Sequence, residues 1–242
     1  MKPLLRAEIL KLRTTRTFVA LVGSALALSV LIVVLQSAID DNFREETVRT
    51  MFSGDFTGLF IVLLGIMGMA GEWRHRTITS TVLAAPDRLR LLAAKTLGYA
   101  AVGALVSVFV TVTIMVIGTV ILSGRGETML AVGDLADILW RNALTACYLG
   151  AIGVCVGALI RNQVVAIVGM LFFTFVVEVT LLGLVPSIGR FTPVNGVTAA
   201  LIATDSPDED LLEIGPALLV MVAWLGLLFT AAATLLRRRD LT

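Results

Sequence analysis

Few residues in this 242-residue chain have the type and spacing for covalent chemistry. Its single histidine, His75, has no serine, second histidine or acidic partner within an apolar run, which excludes a histidine-based intramembrane protease and a multi-histidine metal site. Cys147 and Cys155 share one apolar run. They would lie about 12 Å apart along a helix, too far to bridge, and read as small packing residues. No G-x-x-x-x-G-K-[ST] loop occurs, so if ATP drives this protein another polypeptide must bind it. The sequence is therefore expected to carry no catalytic, cofactor-binding or metal-binding residues of its own.

Two polar features remain. Glu178 is the one carboxylate well inside an apolar run, where an ionisable group is costly unless it meets water or a partner. Two readings stand side by side: a polar group on a translocation route or at an outer gate, or a protonated, hydrogen-bonded packing residue or a helix break near the surface. The other feature is residues 72–95, EWRHRTITSTVLAAPDRLRLLAAK, the longest polar interval on its side of the apolar runs. Within it Ile78, Val82 and Ala85 recur at helical spacing and give a polar rod one apolar stripe. Pro86 ends the rod, and Asp87 can cap a helix that restarts behind it. Such a striped rod is what a groove in a soluble partner grips. Glu72, at its root, is expected to pair with Arg74, Arg76 or Arg16, or else to snorkel.

The elements that hold these features are apolar. The chain is 57% hydrophobic with mean hydropathy +0.95, which points to bilayer as its solvent. Six runs are candidate spans: 17–39, 56–71, 96–122, 143–160, 164–185 and 214–236. All but the second reach the roughly 17–25 residues a spanning helix needs, and the second is expected to borrow from its flanks. They far exceed barrel strands of about 9–11 residues. The first run is too long for a signal-peptide core and is expected to stay as a span.

Charge sets the orientation. Fourteen of the nineteen Lys and Arg fall on one side of the runs, against Arg44, Arg49, Arg125, Arg141 and Arg190 on the other. The positive-inside rule then makes both termini and residues 72–95 cytoplasmic.

Along the chain, residues 1–16 place Leu5, Ile9 and Leu12 at i, i+4, i+7 among Arg13, Arg16 and other cations, as an interfacial elbow helix would. Residues 40–55 read as a short, solvated acidic loop, and 123–142 as an outer loop with an interfacial helix near Trp140. Gly65 and Gly68 in the second run, and Gly153 and Gly157 in the fourth, are spaced for close helix packing, as is Gly23 with Ala27. Arg161, Asn162 and Gln163 leave room only for a tight hairpin between the fourth and fifth runs. Residues 186–213, with three prolines and an apolar patch too short to span, read as a re-entrant or gate segment. A plain surface loop is the competing reading.

On these residues the chain resembles the permeases of type-two ABC exporters. The similarity lies in Glu72 at the end of the second span, Thr77, the turn through Leu83, Pro86, Arg88, and Lys95 heading the third span; AEILKLRTTR, ending at Arg16, is similar to the family's elbow helix. Arg76 and Asp87 depart from that pattern, where a glycine and a small hydroxyl residue are common. The resemblance implies an all-α membrane protein, a single transmembrane domain over 1–242, with six spans, an elbow helix, a cytoplasmic coupling helix and short outer gate helices before the last span. It also implies a homo- or heterodimer in which Glu72, Thr77, Val82, Ala85, Pro86, Arg88 and Lys95 serve coupling to two copies of an ATPase subunit, which bind ATP and Mg. The expected function is outward transport of a hydrophobic or amphipathic substrate such as a drug, peptide or lipid, with the lipid bilayer but no nucleic acid as partner. Arginine outnumbers lysine sixteen to three, which suggests a GC-rich bacterium and hence its inner membrane. The alternatives are an ion-coupled carrier using Glu178, or a non-transporting assembly or sensor subunit.

Overall fold

A backbone in lipid must satisfy its own N–H and C=O groups, and helices do so within one segment. The computed structural model describes residues 10, 12, 15–39, 43–74, 87–127, 130–202 and 211–238, and no strand occurs among them. Six helices in this set are long and apolar enough to cross a membrane: Arg16–Ile39, Glu45–Arg74, Arg88–Arg125, Val132–Leu159, Gln163–Leu184 and Ile214–Arg238.

The first span is α1 (Arg16–Ile39). The second begins with α2 (Glu45–Ser53), breaks at Gly54 to Phe56, and continues as α3 (Thr57–Arg74). The expected solvated loop over 40–55 is thus corrected: Val48, Met51 and Phe52, spaced i, i+3, i+4, are buried beside Ile114 and Leu122. The third span, α4 (Arg88–Arg125), is a single 38-residue helix, about 57 Å long at 1.5 Å per residue. That exceeds the roughly 30 Å of hydrocarbon, so α4 projects beyond it. The fourth, α5 (Val132–Leu159), absorbs the expected interfacial helix into one continuous rod. The fifth comprises α6 (Gln163–Phe172), a π-helical turn (Phe173–Glu178) and α7 (Val179–Leu184). Short helices α8 (Pro186–Gly189) and α9 (Asn195–Ile202) precede the last span, α10 (Ile214–Arg238).

In lipid, association depends on close packing rather than on the hydrophobic effect, so small residues decide which helices touch. The central pack is α3, α4 and α5. A Cβ on Gly65 would lie 2.8 Å from the Gly150 carbonyl oxygen, and one on Gly157 would lie 2.7 Å from that of Ile66. One on Gly153 would overlap the Val62 carbonyl, so α3 and α5 meet backbone to backbone. Gly68 has a different neighbour, since a Cβ there would enter the ring of Tyr99 on α4. Gly23 faces open space, and nothing lies within 4 Å of a Cβ there.

Around this pack, α1 lies on α3 and α4, α6 lies on α3, and α10 lies on α5 with α9 beside it. The first, fifth and last spans keep most of their apolar surface uncovered, while the middle three are the most buried.

Candidate functional site

The polar chemistry gathers at two ends. One is the end where α3 stops at Arg74 and α4 begins after Asp87, called the connector end below. The stretch 75–86 lies outside the described residues, and with it His75, Arg76, Thr77, Val82, Ala85 and Pro86; so do Leu5, Ile9 and Arg13 of the expected elbow.

Gly68 and Glu72 stand one turn apart on α3, and Lys95 and Tyr99 stand one turn apart on α4. Because Gly68 has no side chain, Tyr99 packs over it and the two helices close enough for Lys95 to cross. Its Nζ donates to Glu72 Oε1 at 2.9 Å and to the Gly68 carbonyl at 3.2 Å. Lys95 is 1% and Glu72 8% exposed. Stripping two charges of water is repaid only by good geometry with further hydrogen bonds, and here Lys95 gains a second acceptor in the Gly68 carbonyl. Lys95 is thus a described partner of Glu72, while Arg76, one of the expected arginines, lies outside the described residues. Arg74 sits two residues on, about 200° round the helix, and is exposed.

Around this pair, Asp87 caps α4 by accepting from Leu89 N at 3.1 Å and Arg90 N at 3.3 Å, and its other oxygen pairs with Arg90. Arg88 Nη1 donates to the Leu236 carbonyl at 2.7 Å, supplying a donor to the unsatisfied last turn of α10. Leu12 is buried in a cluster that includes Leu91, Leu92 and Leu236. Arg16 opens α1 and is exposed. The Arg161 guanidinium lies 4.3 Å from the Trp73 ring centroid, and Asn162 caps α6 through Val164 N and Val165 N.

A second feature runs along α3. Ile61 and Leu64 join the cluster holding Phe18, Leu21 and Val22 of α1, whereas Val62, Ile66 and Ala70 join the one holding Ala166 and Met170 of α6. Between these two faces Phe60 and Met67 are half-exposed, in line with Phe56 just before α3 and with Leu63, which also packs on the α6 side. This stripe carries no charge.

At the far end Glu178 is fully buried. Its two oxygens accept from Val194 N at 2.9 Å and Asn195 N at 2.7 Å, at the start of α9 where helix N–H groups lack intrahelical partners. Asn195 Nδ2 donates to the Thr174 carbonyl at 2.7 Å, inside the π-helical turn. Tyr148 Oη donates to the Pro193 carbonyl and Trp224 Nε1 to that of Phe191, so three spans hold the segment before α9. Both oxygens of Glu178 are thus taken up by the start of α9, beside the π-helical turn.

One group was missed in the sequence. Asp55, assigned to a solvated loop, accepts at Oδ1 from Thr57 N and Thr57 Oγ1, and at Oδ2 from Ser107 Oγ at 2.6 Å and Thr111 Oγ1 at 3.0 Å. Asn142 Nδ2 donates to Thr111 Oγ1 and to the Phe52 carbonyl. The signal available was the pair Ser107 and Thr111, hydroxyls one turn apart in an otherwise apolar run.

Against known families, a model described as ABC-2 family transporter protein matches residues 4–177. The match takes in the Glu72–Lys95 pair, the α3 stripe and Asp55, and it stops just before Glu178. No curated protein matches the chain.

Proposed function

The chain belongs to the ABC-2 transporter family and is a multi-pass transmembrane subunit of an ABC transporter; on that premise we propose that it is the permease of an exporter driven through residues 75–86. The observation that carries this reading is the Glu72–Lys95 ion pair. It locks the helix entering the polar connector to the helix leaving it, so force on the connector acts on α3 and α4 together rather than splaying them.

In this reading two copies, identical or related, face each other across α1, α3 and the fifth span. The stripe of Phe56, Phe60, Leu63 and Met67 meets the cargo, a hydrophobic or amphipathic molecule such as a drug, peptide or lipid. Two ATPase subunits grip the connector at Thr77, Val82, Ala85 and Pro86 and bind ATP and Mg themselves; members of this family are usually not themselves catalytic. ATP biases a two-state rocking of the pair. The connector end then lies in the cytoplasm of a bacterium, with both termini and the cationic last turn of α10. An ion-coupled carrier using Glu178 gains nothing from the geometry, because both carboxylate oxygens are occupied by main-chain donors.

The test is co-purification of the tagged chain with an ATPase subunit encoded beside it, followed by Val82→Asp and Ala85→Asp. Both substitutions are expected to leave the membrane part folded and to abolish ATP-dependent efflux. Efflux at the normal rate in both variants would remove the connector from the mechanism.

A further inference from the structure

The Glu72–Lys95 pair accounts for how the connector could move α3 and α4, but the fifth span has no covalent link to it. Force must reach that span through packing, and the structure offers one route at the connector end. Ala166 and Met170 of α6 pack with Ile66 and Ala70 of α3. Gln163, the first residue of α6, is buried, and a Cβ on Gly71 would lie 3.8 Å from its Oε1. Beyond the last of these contacts, Trp73 ends one residue short of the connector with its indole face 4.3 Å from the Arg161 guanidinium.

Arg161 stands in the three-residue turn between α5 and α6, and neighbouring Asn162 caps α6, so displacing Arg161 displaces the start of the fifth span. Trp73 and Glu72 are adjacent on α3. One turn of helix therefore engages α4 through charge and the α5–α6 turn through a ring face. Stacking of a guanidinium on an indole is directional and survives partial hydration, as suits a contact at the membrane edge.

We propose that Trp73 and Arg161 form a positioning pair that carries displacement of the connector to the fifth span, making the end of α3 a branch point rather than a single lever arm. This rests on the reading of the chain as an ATP-driven permease. Neither residue touches cargo or nucleotide; each acts by fixing the other.

The test uses the permease with its co-purified ATPase in lipid nanodiscs, in a background with Cys147→Ser and Cys155→Ala. Spin labels are placed at Val168→Cys on the exposed face of α6 and at Val116→Cys on the exposed face of α4. A second sample pairs Val116→Cys with a label at exposed Arg74→Cys, the root of the connector. In the parent, ATP trapped with vanadate is expected to shift both distances. Trp73→Ala and Arg161→Ala are expected to diminish the shift at 168 relative to the parent while retaining that at 74, the packing of α6 on α3 carrying the remainder, and Trp73→Phe, which keeps a ring face, is expected to restore it. Arg161 is exposed, so its replacement leaves a folded protein for the measurement. A full shift at 168 in both alanine variants overturns the proposal. Absence of a shift at either position in the parent overturns instead the ATP-driven reading beneath it.

Discussion

Lys95 reaches across from α4 to Glu72 on α3, 2.9 Å between Nζ and Oε1, so that the two ends of the connector are joined by a buried charge pair. Removing one partner leaves the other charge buried without its described counter-ion. Lys95→Met alone is expected to cost about 3–5 kcal/mol. The double variant Glu72→Gln with Lys95→Met should recover most of that, because a neutral pair leaves no orphan charge. Thermal unfolding in detergent of the four corners of this cycle measures the coupling. Equal loss in the single and double variants would mean that the pair contributes only shape.

The glycine contact between α3 and α5 has no give, because its neighbours are backbone atoms. Gly65→Val and Gly153→Val are expected to destabilise the chain by about 1–3 kcal/mol or to prevent assembly of the central pack. Gly226→Ala, where a Cβ meets nothing within 4 Å, should leave the unfolding midpoint unchanged or raise it slightly. Indifference at Gly65 and Gly153 would contradict the backbone contact.

Glu178 and Asp55 are both carboxylates with filled acceptor sites, yet their amide variants should differ. Donors to Glu178 are main-chain N–H groups, which cannot become acceptors, so Glu178→Gln turns an NH₂ toward an N–H. The expected cost is about 1–3 kcal/mol, felt locally. Hydrogen exchange in 186–202 should accelerate by roughly tenfold or more, since about 1.4 kcal/mol is a factor of ten. Unchanged exchange there would show that Glu178 does not hold α9.

Asp55 instead meets the hydroxyls of Ser107 and Thr111, which can rotate to accept. Asp55→Asn is expected to be mild, within about 1 kcal/mol, while Asp55→Leu leaves the hydroxyls and Thr57 N without their acceptor and costs about 2 kcal/mol or more. Unfolding midpoints of the two variants, compared side by side, decide this. A leucine as well tolerated as asparagine would place Asp55 in water rather than in the bundle.

Hydropathy alone located six spans, and a polar interval between the second and third was legible. Both follow from a local property: a run of about twenty apolar residues has no stable place but lipid, and a polar interval cannot stay there. The cap at Asp87 was legible for the same reason, since a cap bonds to N–H groups two and three residues away.

What the residues could not declare from order alone was who meets whom. A soluble helix advertises its buried face by contrast with its polar one, whereas a span is apolar on lipid and protein sides alike, so its inward face carries no pattern. The contact between Glu72 and Lys95, on the next helix, therefore had no signal in the order of residues. Asp55 looked like loop because its hydroxyl partners stand more than fifty residues away on α4. Trp73 and Arg161 gave no joint signal, and neither did Glu178 and the start of α9. The sequence by itself determined that this chain lives in a membrane and where its polar connector falls. Only the packing of α3 against α4, α5 and α6 decided which charges are paired, because in a bilayer the choice of neighbour is made by close contact between small residues and by the few polar groups that need one another.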